Sequence, residues 1–89
     1  MRTCAAQADR DHKKILLGWQ YNGIGVDKYV VYRAVNDNAG FVNCATLSGD
    51  KTGYEDKDLH ISNTYRYKVK AVLKNGIESM FTNEIRVSY

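Results

Sequence analysis

The sequence contains no proline, only two cysteines and no long apolar run. No stretch approaches the roughly 18 apolar residues that a transmembrane helix needs, so membrane insertion is not expected. The polar and charged residues 1–15 do not form a secretory signal. Zinc sites need close pairs of cysteine or histidine, and Cys4 and Cys44 stand alone, so no metal and no cofactor is predicted. A Cys4–Cys44 disulfide and two separate half-buried thiols both remain open.

Length and charge exclude several classes of protein. The 89 residues suffice for one domain and are too few for two. The formal net charge is +3, from 13 basic and 10 acidic residues. Nucleic-acid binders carry a denser basic cluster, so no nucleic-acid partner is predicted. No catalytic constellation stands out, and we expect a monomer that is not an enzyme.

Strand formers dominate the chain, and no helical periodicity is sustained. Regular short strands with turns every 8–12 residues, roughly, are typical of an antiparallel sandwich. A small barrel is the alternative, but the glycines lie in turns and not at barrel corners. The predicted strands are 2–8, 13–21, 28–36, 41–47, 53–55, 64–73 and 77–88, the last with a bulge or kink at 78–82.

Alternation within the strands predicts which side chains form the core. Trp19 shares its parity with Ile15 and Leu17, so we place its ring inside, with the indole N–H bonded to a backbone acceptor. The clearest strand, 64–73, alternates apolar and basic residues. Its predicted inward residues are Tyr65, Tyr67, Val69 and Ala71.

These core residues resemble the pattern of the fibronectin type III family. Leu17-x-Trp19 is similar to the core pair of its second strand, and Tyr29-x-Val31 to that of its third. Leu59 followed six residues later by Tyr65 is similar to the spacing that precedes the sixth strand. The resemblance implies an all-β, seven-stranded immunoglobulin-like sandwich. It also implies that Tyr65 is a tyrosine corner, with a buried ring and a hydroxyl bonded to nearby backbone.

The resemblance is strongest to bacterial members, through the runs 28–33, 53–59, 75–79 and 82–84. It implies that residues 1–89 are a single module excised from a larger multidomain protein, located outside the cell or in the cell envelope. The implied function is a non-catalytic accessory, spacer or protein-interaction module, for example in a polysaccharide-degrading enzyme. Its partners would be neighbouring domains of the parent chain or another protein. The Arg-Gly-Asp and Trp-Ser-x-Trp-Ser motifs of adhesion and receptor modules are absent.

One face of the predicted sheet is a candidate ligand site. If Tyr65 and Tyr67 point inward, the basic residues between and beyond them point outward. The third and sixth strands are neighbours in this fold, which brings an aromatic ring beside that basic row. Such a face could stack on a glycan, and weak carbohydrate binding is the alternative function; a plain solvated face is the competing interpretation. The candidate residues are Tyr32, Arg66, Lys68 and Lys70.

Other polar and aromatic residues give weaker signals. The acidic run 55–58 with Asp50 lacks the spacing of a calcium loop, and turn formation explains it better. His12 and His60 lie in predicted turns without a nucleophile that the sequence places beside them. Five aromatic residues have no assigned burial and could form a binding patch at one end of the sandwich: Tyr21, Phe41, Tyr54, Phe81 and Tyr89.

Overall fold

Seven β-strands and no helix form the described part of the chain, which in this computed structural model comprises residues 3–20, 25–36, 40–79 and 81–89. The described residues therefore contain no helix that could span a membrane. The strands are β1 (Thr3–Asp9), β2 (Lys14–Gln20), β3 (Val26–Val35), β4 (Val42–Ser48), β5 (Gly53–Asp56), β6 (Thr64–Leu73) and β7 (Ile85–Ser88).

The strands form two antiparallel sheets that face each other. One sheet has the order β1-β2-β5 and the other the order β4-β3-β6-β7. The predicted antiparallel sandwich is therefore confirmed, and the barrel alternative is wrong. β3 and β6 are the two central strands of the larger sheet, as the family resemblance implied.

Strict alternation on β2 and β6 builds the core between the sheets. Every second residue of β6 is buried, and β2 buries Ile15, Leu17 and Trp19 in the same way. The Trp19 ring lies edge-on to the Tyr29 ring, with the centroids 5.5 Å apart. The predicted backbone acceptor for the indole is wrong, because Trp19 Nε1 has no hydrogen-bond partner within the described residues. The indole is surrounded by an apolar cluster, which offers no acceptor.

The end of the chain departs most from the predicted strands. The predicted strand 77–88 is regular only over β7, because the preceding segment follows β6 irregularly. Ser79 Oγ accepts a hydrogen bond from the Ala71 N–H (2.8 Å), and Thr82 Oγ1 accepts one from the Val69 N–H (3.1 Å). Side-chain oxygens thus take positions that strand carbonyls would hold in a regular ladder. The predicted break within 78–82 is where this happens.

β6 has the predicted bounds at both ends, and apart from the start of β7 the other strand boundaries lie within two residues of the predicted ones. β3 begins at Val26, two residues earlier than predicted, because a register shift lets the chain pair before Lys28. Arg2 and Tyr21, which the predicted first and second strands include, lie outside the described residues.

A buried polar cluster joins the two sheets. Asp56, at the end of β5 in the smaller sheet, is 2% exposed. Its carboxylate accepts both hydrogen bonds of a bidentate contact from Arg33 Nη1 (3.0 and 2.8 Å) and a third from the Tyr67 hydroxyl (2.6 Å). Arg33 and Tyr67 belong to the larger sheet. The acidic run 55–58 therefore has a structural role. The carboxylate of its buried residue, Asp56, is hydrogen-bonded to Arg33 and Tyr67 within the fold.

This cluster changes the acidity of its members. Burial raises the pKa of Tyr67, and the hydrogen bond to Asp56 raises it further. Burial by itself would lower the pKa of Arg33, but the hydrogen bond and charge of Asp56 raise it overall. Both groups therefore keep their protons through the neutral range, so Arg33 and the Tyr67 hydroxyl both remain hydrogen-bond donors to the Asp56 side chain.

The two cysteines are free thiols at separate places in the fold. Cys4 is buried on β1, which packs beside β7, whereas Cys44 is half-buried on β4, the strand at the other edge of the larger sheet. The disulfide is thus not formed, and the separate thiols are what the structure shows. Burial is the main cause that raises the pKa of both thiols to about 11.

We expect neither thiol to react with a thiol-disulfide reagent at pH 8 in the native protein, whereas both react at once in denaturant. The thiolate is the reactive species, and a pKa near 11 leaves about one thiol in a thousand ionised at pH 8. Because the folded pKa exceeds the unfolded one, the same groups stabilise the fold at neutral pH and lose that contribution as the pH rises above about 9. Rapid native labelling of either cysteine would contradict the burial shown here.

Candidate functional site

The basic row predicted from strand parity lies on the outer face of the larger sheet. In the β3–β6 pairing Tyr32 is opposite Lys68, and Ala34 is opposite Arg66. Lys70 is opposite Val30, which is buried although it also points outward. All four predicted residues are half-buried, so their side chains lie along the sheet. The structure therefore brings Tyr32, Arg66, Lys68 and Lys70 together.

Two aromatic residues from outside the strands complete this surface. Phe41 precedes β4, and Phe81 lies in the segment before β7. The Phe81 ring meets the Tyr32 ring edge-on, with the centroids 5.2 Å apart and the planes at 86°. We call the resulting surface the basic–aromatic face; it consists of Tyr32, Phe41, Arg66, Lys68, Lys70 and Phe81.

Lys68 occupies the middle of the basic–aromatic face. Its ammonium lies 4.4 Å from the centre of the Phe41 ring and 4.1 Å from that of the Phe81 ring. Both distances are within the range of cation–π attraction. No carboxylate of the described residues pairs with Lys68, so its positive charge is compensated only by the two rings.

The two flanking cations have acidic partners. Lys70 Nζ donates to Glu78 at 2.6 Å, and this hydrogen bond, with a smaller contribution from Tyr32, raises the pKa of Lys70. Arg66 lies 3.5 Å from Glu84, and its Nε donates to the carbonyl of Asn36 (3.2 Å). The positive charge of the basic–aromatic face is therefore largely neutralised at its two ends and concentrated at Lys68.

This arrangement limits what the basic–aromatic face can bind. Lys68 covers ring faces of both phenylalanines, so a sugar could stack on those rings only if the lysine side chain moved aside. A partly apolar surface with one cation that has no carboxylate partner among the described residues is better suited to packing against another protein surface. The face presents no nucleophile with an adjacent base, and among the described residues no group of three metal-binding side chains was found.

The other predicted candidates do not join this face. His12 contacts Asp9 (2.9 Å) in the exposed β1–β2 turn, and His60 lies in the loop between β5 and β6. Tyr54 and Tyr89 pack partly against the core, and Tyr21 lies outside the described residues. Of the four unassigned aromatics that the structure describes, Phe41 and Phe81 contribute to the basic–aromatic face.

No protein-family model matches the chain, and no curated protein is similar enough to count as a relative. Among solved structures, the Fn3-like protein from Clostridium thermocellum is similar with a TM-score of 0.81 and 26% identity, covering 99% of this chain and 88% of that one.

Enzyme chains also contain this fold. Pectate lyase PelI from Erwinia chrysanthemi, solved in complex with tetragalacturonic acid, is similar with a TM-score of 0.84 and 21% identity over 96% of this chain. The spore cortex lytic enzyme SleM from Clostridium perfringens is similar with a TM-score of 0.72 and 21% identity over 99%. This chain spans 27% of each of those two enzyme chains. At these identities the likeness shows a shared fold only.

Proposed function

We propose that this fibronectin type III-like module is a non-catalytic accessory domain of a larger bacterial carbohydrate-active protein that works outside the cell. The observation that carries the proposal is that nearly the whole chain matches about a quarter of the length of two enzyme chains, a pectate lyase and a spore cortex lytic enzyme. A sandwich whose interior is filled by side chains supplies distance and orientation between domains and needs no catalytic pocket.

The basic–aromatic face gives this role a contact surface. Its rings are apolar, the charges at its two ends are neutralised, and the half-buried Lys68 has no carboxylate partner among the described residues, so it can attract an acidic side chain. We propose that a neighbouring domain, or another protein, packs on this face while the module itself remains a monomer. Weak carbohydrate binding at the same face is the second candidate, favoured by the aromatic rings and by the basic residues beside them.

Amide chemical shifts of the 89-residue chain distinguish these two roles. We expect neutral glycans to cause no saturable shifts around Tyr32, Arg66 and Lys68, because the lysine covers the rings. Saturable shifts there, strengthened in Lys68→Ala, which uncovers the rings, and unchanged in Lys28→Ala, would instead establish the glycan-binding alternative. Lys28 is a suitable control because it is an exposed lysine of the same sheet.

Activity measurements test the non-catalytic part of the proposal. We expect the isolated chain to release no reducing ends from polysaccharides, including pectin and bacterial cell-wall glycan. Turnover that purifies together with the chain and is lost on its denaturation would overturn the assignment as an accessory domain.

A further inference from the structure

A cavity of about 500 Å³ opens at one end of the sandwich, and none of its lining residues belongs to the basic–aromatic face. Three parts of the chain line it: the β1–β2 turn, the β5–β6 loop and Tyr89 after β7. Cavities that hold small ligands are commonly about 300–1,000 Å³. The size therefore suits one or two sugar rings.

The cavity is strongly basic. Arg10, Lys13 and Lys57 all line it, and among the described residues Glu55 is the one side chain whose carboxylate pairs with any of them. Glu55 lies 3.8 Å from Lys57 but only 3.1 Å from Lys14, so it is shared between two cations. The positive charge inside the cavity consequently exceeds the negative charge that compensates it.

Arg10 is already held in place for binding. Its Nη1 and Nη2 donate to the main-chain oxygens of Tyr89 (2.6 Å) and Ser88 (3.3 Å), and its guanidinium lies 5.3 Å from the centre of the Tyr89 ring. A guanidinium has five N–H donors, so three remain for a ligand. Fixing the side chain beforehand reduces the entropy that binding would otherwise cost.

The walls of the cavity add apolar and aromatic surface. Ile61 is 79% exposed, and the Tyr89 ring lies beside Arg10. An exposed aliphatic side chain such as Ile61 can contact the apolar face of a sugar while the cations hold its carboxylate. His60 supplies a further hydrogen-bonding ring at the same wall.

We propose that this cavity binds the carboxylate of an acidic saccharide, with Arg10 and Lys13 as the carboxylate contacts and the exposed Ile61 as an apolar contact for the sugar ring. The choice of a saccharide rests on the proposed function, whereas the negative charge of the ligand follows from the cavity itself. A nucleic acid fits less well, because the cations converge in one hollow and do not follow a stripe along the surface.

The test compares a uronic acid tetrasaccharide with its fully methyl-esterified form, which has nearly the same shape and no charge. We expect the acid form to shift the amides of Lys13, His60 and Tyr89 saturably, with a dissociation constant in the millimolar range. The ester is expected to bind at least tenfold more weakly.

Lys13→Asn is the decisive variant because it removes one charge without straining the turn. Lys13 has a φ of 56°, a left-handed conformation that asparagine tolerates better than lysine. We expect this variant to fold normally and to bind the acid form about tenfold more weakly. Lys51→Asn, which removes the same charge in the β4–β5 loop outside the cavity, should change the affinity less than twofold.

Three results would overturn the proposal: no saturable shifts, equal binding of the ester, or equal weakening by both lysine variants. Shifts confined to the basic–aromatic face would also overturn it. None of these results would contradict the proposed function as an accessory domain, which would be overturned only if the chain proved catalytic. The two failures are therefore distinguishable.

Discussion

Replacing Asp56 by alanine is expected to lower the free energy of unfolding by about 3–5 kcal/mol, the usual cost of removing one partner from a buried ion pair. The change leaves the guanidinium of Arg33 without its bidentate acceptor, and the side chain of Arg33 is only 16% exposed. It also leaves the hydroxyl of Tyr67, a fully buried residue, without its acceptor. Because both donors come from the larger sheet and Asp56 from the smaller one, the loss falls on the contact between the sheets.

A loss of that size is a large part of the total stability of such a domain. At roughly 0.05–0.15 kcal/mol per residue, an 89-residue chain has about 4–13 kcal/mol. Asp56→Asn is therefore the companion variant, since it keeps the shape and one acceptor oxygen and should remain folded enough to measure. Urea unfolding followed by tryptophan fluorescence reports the change through Trp19, the one tryptophan of the chain.

Asp58→Ala is the matched control. Asp58 also approaches Arg33, at 3.4 Å from Nη2, but its side chain is 80% exposed. Exposed ion pairs contribute about 0–1 kcal/mol, so this variant should unfold close to the parent chain. Similar losses for Asp56→Ala and Asp58→Ala would show that burial of the pair is not what makes it important.

Sequence reasoning could not have found this cluster. The alternation of apolar and polar residues in β2 and β6 predicted which side chains enter the core, because the residues of a single strand are enough to show which of them share a face. The Asp56–Arg33 contact joins strands of different sheets that are 23 residues apart, and no pattern within either strand predicts it. The acidic run was consequently interpreted as a polar turn.

For the candidate surfaces too, the sequence predicted what lies within regular strands and missed what distant loops contribute. Parity, together with the neighbouring third and sixth strands that the family resemblance implied, placed Tyr32 beside the basic row. Phe41 and Phe81 lie outside regular strands, where parity does not apply. Their rings, which cover Lys68, were left unassigned. The basic cavity was missed, although a signal existed: in an antiparallel sandwich the β1–β2 turn and the β5–β6 loop lie at the same end, and both contain lysine.

Tyr65 is the position at which the family resemblance predicted a specific contact, and the structure confirms it. The residue is 1% exposed, and its hydroxyl accepts a hydrogen bond from the His60 N–H at 2.6 Å. The same hydroxyl lies 3.4 Å from the His60 carbonyl and 3.5 Å from Asn63 Nδ2. It thus fixes the β5–β6 loop against the core.

Tyr65→Phe is expected to lower the free energy of unfolding by roughly 1–3 kcal/mol, because the ring still fills its site while the His60 N–H loses its acceptor. Tyr54→Phe is the matched control, because it removes a tyrosine hydroxyl that makes no hydrogen bond to the described residues. Tyr54 is half-buried. That variant should stay within about 0.5 kcal/mol of the parent chain. If the urea midpoint of Tyr65→Phe equals that of Tyr54→Phe, the corner hydrogen bond does not hold the loop. If it falls as expected, the loop that forms one wall of the basic cavity depends on a single hydroxyl.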